Sequence, residues 1–334
     1  MKLNLSHFLS ITSGAERIEE REDGFHFLRF TKEQEELYVN NKTELVNKVY
    51  STSGIRFHFK TNSAKMFLNV VPAKFHSRFY FCFDLFVNGK LVDTIDNYSH
   101  EPLPIPYSHH KFISSEVSKE FNLGEGEKEV NLYFPWSCEA TVKELTLDDN
   151  STITPIKRDK KILCFGDSIT QGYDSLHPSN KYITRFAEYL GAEEYNKAIG
   201  GEVFFPELAK SKEEHDFDYV SVAYGTNDWY KSDWETFTKD CKAFFENIAE
   251  NYKNSKIFVI TPIWRKEMGV NKNGWDFSKV HDYITSVVSD IPNATIVKGF
   301  DLVPHDENLY ADFRLHPNDE GFDHYFNNLI SKIN

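Results

Sequence analysis

A chain of 334 residues is long enough for two domains of ordinary size. Its formal charge of −13 argues against nucleic acid or an anionic membrane as the main partner and favours a neutral substrate. The 40% hydrophobic content can fill real cores, yet no run approaches the roughly 18–20 apolar residues that a membrane span needs.

The opening residues interrupt their apolar side chains with Asn4, Ser6 and His7, so no secretion signal is read there. Residues 54–60 then alternate strictly between apolar and polar, and 65–71 do so more loosely. Residues 79–87 read as a strand ending at Asn88-Gly89, a strong hairpin signal, with 90–95 pairing back. Residues 129–134 and 140–147 continue the pattern. Many strands with short turns and no intervening helices predict an antiparallel sandwich of the jelly-roll kind over residues 1–155, a fold that often binds carbohydrate. His109-His110 is read as a solvated loop, because neighbours on a strand point to opposite faces and cannot easily share a metal.

A polar segment with Pro155 and a basic cluster marks a domain junction near 155, and from 156 to 334 the rhythm changes. Residues 162–165 form a continuous apolar run, as expected of a strand covered on both faces. Gly166 breaks it and Asp167-Ser168 follows, at the carboxyl edge where open α/β sheets place ligands. Ser168 is a candidate nucleophile; alternatively, Asp167 and Ser168 cap the next helix. Helices are predicted over 182–190, 237–248, about 278–289 and after Gly321, with strands at 194–196, 219–224, 256–260 and 295–297. The alternation predicts a five-stranded parallel sheet with helices on both faces. Gly201 and Asn227 follow the second and third strands, and His316 follows the fifth, so all can reach the edge that carries Ser168. That coincidence is hard to explain by capping alone and favours the nucleophile.

These residues resemble the SGNH (GDSL-type) hydrolases. Gly166-Asp167-Ser168-Ile169-Thr170 matches the first block of that family, residues 196–201 the second, Gly225-Thr226-Asn227-Asp228 the third and His316-Pro317-Asn318-Asp319 the fifth. The resemblance implies Ser168 as nucleophile, His316 as base, and Ser168, Gly201 and Asn227 as oxyanion-hole donors. It covers about residues 160–334. One departure stands out: the family's acid position, three residues before the histidine, holds Phe313. Asp312 could take over through a one-residue bulge; otherwise a backbone carbonyl orients the ring and leaves a Ser–His dyad.

A jelly roll preceding an SGNH domain is similar to carbohydrate esterase family 2. That likeness implies removal of acetyl groups from plant-derived xylo- or manno-oligosaccharides, without a cofactor. No zinc-like motif is present, and metal-independent chemistry is expected. Trp229, Trp264 and Trp275 fall in loops expected to rim the site, where their faces could stack on sugar rings or simply pack. The scattered cysteines (82, 138, 164 and 241) suit a reducing compartment, so a cytoplasmic enzyme acting on imported oligosaccharides is expected. Competing functions are a lipid or thioester acylhydrolase, and a carbohydrate-binding protein whose hydrolase domain is inactive because of Phe313.

Overall fold

The computed structural model describes residues 1–333. Two antiparallel sheets make up most of the first half. One has the strand order Thr12–Ser13, Arg56–Thr61, Lys128–Tyr133, Cys82–Val87, Lys90–Asp96, with Thr154–Pro155 also paired to Arg56–Thr61. The other runs Arg17–Arg21, Gly24–Leu28, Glu139–Leu147, Lys65–Ala73, Val117–Asn122. Both contribute to one core, in which Phe57, Phe59 and Leu132 of the first meet Phe27, Leu68 and Val142 of the second. Lys65–Ala73 shows the alternation of a strand with one wet face. Arg56–Thr61 does not: Arg56 and His58 are buried as well, Arg56 paired with Glu188 of helix Tyr182–Tyr189 and His58 with Glu129. The Asn88-Gly89 hairpin has both residues at positive φ, 48° and 75°, as a two-residue turn matched to strand twist requires.

The first half also contains helices that its alternating pattern does not announce, chiefly Leu5–Ile11 and Lys32–Asn41. The second starts with a capping box: Thr31 Oγ1 accepts the Gln34 N–H at 3.2 Å and Gln34 Oε1 accepts the Thr31 N–H at 3.1 Å. Phe30, Tyr38, Leu45 and Val49 from this stretch pack into a core cluster with Leu163 and Phe165. The first half therefore sends an arm onto the second.

The second half holds a five-stranded parallel sheet in the order Ala192–Asn196, Lys160–Gly166, Tyr219–Ala223, Lys256–Ile260, Ala294–Val297. Alternate residues of Lys160–Gly166 enter different cores, Leu163 and Phe165 on one face and Ile162 and Cys164 on the other, which is why the run is apolar throughout. The next strand in sequence lies on one side of Lys160–Gly166 and the one after it on the other. The carboxyl end of Lys160–Gly166 is thus the point where the winding reverses, the place where open α/β sheets bind their ligands. Among the described residues, no helix is long and apolar enough to cross a membrane.

Candidate active site

Gly166 ends the strand in a turn too tight for a side chain: a methyl group there would lie 2.4 Å from Thr170 Oγ1. Asp167 caps the one-turn helix Ser168–Gln171, its Oδ1 accepting the Ile169 N–H at 2.9 Å. Burial pushes the Asp167 carboxyl up to about 6. Ser168 is not the cap. Its Oγ lies 2.8 Å from His316 Nε2, and its residue is only 4% exposed.

The other imidazole nitrogen, Nδ1, is 2.7 Å from Asp312 Oδ2. Asp312 reaches it from four residues back because Phe313 adopts φ 54°, left-handed for a non-glycine residue. The loop closes on itself through Ala311 N–H to His316 O at 2.9 Å. Asp312 Oδ1 is its hub and accepts the backbone N–H groups of Arg314, Leu315 and His316 at 3.0, 2.8 and 3.1 Å. Burial pushes the Asp312 carboxyl up, but the imidazole hydrogen bond and charge and these N–H groups outweigh it, holding the group well below the usual carboxylate range. The Phe313 departure is therefore absorbed by the backbone.

Three donors expected to face a carbonyl oxygen near Ser168 each keep a free hydrogen. Among the described residues, nothing accepts the backbone N–H of Ser168 or of Gly201. Asn227 Nδ2 uses one hydrogen on Glu202 O at 3.0 Å and keeps the other. Gly201 sits at φ 86°, and its loop is held from below by Gly200 N–H donating to Gln171 Oε1 at 2.7 Å. Burial pushes Glu202 beneath this loop and Asp228 beside Asn227 each up to about 7.

The first half builds the wall behind this site, through residues without local sequence signals. Gln171 Nε2 donates to Ser51 Oγ and to Trp136 O, both at 3.0 Å. Trp136 Nε1 donates to Ser175 O at 2.8 Å, and its ring lies 4.9 Å from that of Tyr173. Asp174, fully buried at φ 69°, accepts from Arg78 Nη2 at 2.8 Å, Tyr80 at 2.8 Å and Ser108 at 2.9 Å. Arg78 Nη2 also stands 3.3 Å from His316 Nδ1, and Asp174 Oδ2 lies 3.7 Å from that nitrogen. Asp174, Asp312 and His316 are close enough to share a metal ion, but each is already engaged by protein partners.

The tryptophans correct the expectation of a sugar-stacking rim. Trp229, Trp264 and Trp275 are 4%, 9% and 3% exposed. Trp275 stacks on Phe237 at 5.1 Å, Trp264 stacks on His305 at 5.7 Å, and Trp229 packs edge-on to Phe277 beneath the Arg265 guanidinium. Their loops fold back over the core, and the indole faces are spent on packing. A cavity of about 300 Å³ near them, lined by Met268, Phe277, Val280, His281 and Phe300, includes none of Ser168, Gly201, Asn227 or His316.

Residues 164–324 match the GDSL-like lipase/acylhydrolase family. No curated protein matches the sequence significantly. Among solved structures, the salicylyl-acyltransferase SsfX3 from a tetracycline biosynthetic pathway is similar with a TM-score of 0.80 at 17% identity, over 96% of this chain and 93% of that one. A family two carbohydrate esterase from Clostridium thermocellum, in complex with cellohexaose, has a TM-score of 0.63 at 16% identity, over 85% and 92% of the two chains. The acetyl xylan esterase Est2A from the rumen bacterium Butyrivibrio proteoclasticus has a TM-score of 0.56 at 15% identity, over 83% and 88%. At such identities the likeness is one of fold. The stretch that matches the GDSL-like lipase/acylhydrolase (SGNH) family is the one that carries Ser168, Gly201, Asn227 and His316 on or after the strand ends of the parallel sheet.

Proposed function

We propose that this protein is a serine carboxylic-ester hydrolase that removes acetyl groups from xylo- or manno-oligosaccharides, with a jelly-roll sandwich (1–155) preceding the catalytic domain (156–334). The observation that carries the reading is the hydrogen-bonded chain from Ser168 Oγ through His316 to Asp312 Oδ2. His316 Nε2 takes the hydroxyl proton as Ser168 Oγ attacks the ester carbonyl. The oxyanion is held by the N–H groups of Ser168 and Gly201 and by Asn227 Nδ2, donors each worth about 2.7–4 kcal/mol of barrier in comparable enzymes. Collapse expels the sugar hydroxyl, which receives the proton from the imidazolium. Water, deprotonated by His316, then attacks the acyl-enzyme and releases acetate. Asp312 holds the imidazole with its proton on Nδ1 and stabilises the imidazolium.

The substrate part rests on the resemblance to carbohydrate esterase family 2 and on the fold likeness to such enzymes. The Asp312 contact removes the main argument for an inactive domain, since Phe313 leaves the imidazole with a carboxylate partner. Mass spectrometry of acetylated xylan and mannan oligosaccharides after incubation tests the substrate, and should show losses of acetyl mass with wild type and none with Ser168→Ala. Equal background rates for the two proteins would sink the esterase reading. Faster turnover of an octanoate than of an acetate ester would replace deacetylation by lipid acylhydrolysis.

A further inference from the structure

Two ammonium groups that this chemistry does not use lie beside Gly201. Lys48 Nζ donates to Gly200 O at 2.5 Å, and Lys231 Nζ donates to Gly201 O. A methyl group placed on Gly201 would meet only two heavy atoms within 4 Å, Lys231 Nζ at 3.4 Å and Lys48 Nζ at 3.6 Å. The open space over this glycine is therefore walled by ammonium groups. They arrive from separate parts of the chain. Lys48 belongs to the short helix Val46–Val49 on the arm of the first half. Lys231 stands four residues after Asn227 on helix Thr226–Lys231, and so on the same face.

Among the buried lysines of this protein, Lys181 is paired with Glu194 at 3.2 Å and Lys197 with Glu16 and Glu213 at 2.9 and 3.0 Å, whereas Lys128 donates to the carbonyls of Ser63 and Gly124. Lys48 and Lys231 have no acidic partner among the described residues; each spends one of its three protons on a carbonyl and keeps two. Burial, then the neighbouring charges of Lys231 and Arg78, push the Lys48 ammonium down to about 8. Burial and Lys42 push Lys231 down as well. Glu202 below the loop compensates little, because burial favours its neutral form and Tyr38 and Tyr224 already donate to it. Glu44 and Asp228 also act on these charges, but neither makes a salt bridge with them, and two neighbouring ammonium groups without a paired acid leave a site whose electrostatics an anion completes.

We propose that Lys48 and Lys231 form an anion-binding subsite beside Gly201, and that the ester hydrolysed here carries a carboxylate, sulfate or phosphate group close to its scissile carbonyl. This rests on the esterase reading and narrows it, from neutral oligosaccharides to esters that carry an acidic group. The net charge of −13 sets the far field, whereas a local pair of cations decides what binds beside Gly201.

Matched ester pairs test the proposal. On the alcohol side, para-acetoxybenzoate is compared with its methyl ester. On the acyl side, phenyl hydrogen adipate is compared with phenyl methyl adipate, with phenol release as the readout. Wild type is expected to favour the charged member of one pair in kcat/KM, and that pair identifies the side of the ester that bears the anion. Lys48→Met and Lys231→Met should each lower the charged-to-neutral ratio by about tenfold, mainly through KM, while Lys231→Arg restores it. Added salt should lower the wild-type ratio as well. A wild-type preference for the neutral member of both pairs, or a ratio unchanged in both methionine variants, would overturn the proposal and leave the lysines to hold two carbonyls. Calorimetry of Ser168→Ala with both ester pairs reads the subsite without turnover. Tighter binding of the charged member in either pair supports the subsite even if no ester is hydrolysed, and equal binding within both pairs overturns it even if hydrolysis is fast.

Discussion

Asparagine at position 312 should damage the enzyme more than alanine there. In Asp312→Asn the remaining carbonyl oxygen can still accept the three N–H groups of Arg314, Leu315 and His316, at 3.0, 2.8 and 3.1 Å, so the loop keeps its shape. That anchoring forces the new NH₂ group into the position of Oδ2, 2.7 Å from His316 Nδ1. A donor there turns Nδ1 into an acceptor and moves the imidazole proton to Nε2, 2.8 Å from Ser168 Oγ, where it cannot receive the serine proton. A wrong tautomer of this kind costs roughly 10,000-fold in kcat, about 5 kcal/mol of barrier. Asp312→Ala imposes no tautomer. It leaves Nδ1–H to water or to Asp174 Oδ2, now 3.7 Å away, and should retain more activity than either Asp312→Asn or His316→Ala. The assay is release of para-nitrophenol from its acetate ester, with kcat and KM separated and folding verified by circular dichroism. A folded Asp312→Asn enzyme within tenfold of wild type, or more active than Asp312→Ala, would refute the reasoning.

Two further expectations concern stability. Arg78→Met strands the Asp174 carboxylate in a fully buried position with only hydroxyl donors, which should cost about 3–5 kcal/mol in urea denaturation; a loss under about 1 kcal/mol would show that the pair does not fasten the two halves. Glu202 gives a pH signature, since burial raises its carboxyl from 4.5 to about 7. The folded protein therefore keeps a proton that the unfolded chain loses, and stability fully present below pH 4.5 is lost as pH rises to about 7, by up to about 3 kcal/mol. Glu202→Gln keeps a neutral side chain throughout, so its stability relative to wild type should climb across that window. A pH-independent difference in denaturation midpoint would contradict this assignment.

The parallel sheet was legible because its signals are local. A strand covered on both faces must be apolar throughout, and Ile162 to Phe165 meet that requirement two by two. Gly166 read correctly as the end of the strand, and of the two residues offered as an alternative helix cap only Asp167 is one, since both features respond to neighbours within a few residues. The helix Lys32–Asn41 carried a legible capping box at Thr31 and Gln34 but little amphipathic pattern, because it packs on the second half with Tyr38 and few other apolar residues. The tryptophans misled for a different reason. A loop position tells where an indole begins, whereas its burial depends on how residues 264–277 fold back over Phe237 and its neighbours.

The succession of strands and helices along residues 156–334, and the serine, glycine, asparagine and histidine each placed after a strand, follow from the sequence by itself, because periodicity and turn chemistry encode them residue by residue; the order of the strands in the sheet, and with it the reversal of the winding at Ser168, does not. Only the tertiary structure decided what stands behind His316 and beside Gly201. The Asp312 contact depends on Phe313 entering left-handed space, a choice made by closure of the loop and not by residue type. Arg78 reaches the imidazole across 238 residues, and Lys48 meets Lys231 only because an arm of the sandwich lies over the parallel sheet. Charges act through space and not along the chain, so the electrostatics of this site became readable only once the two halves were docked.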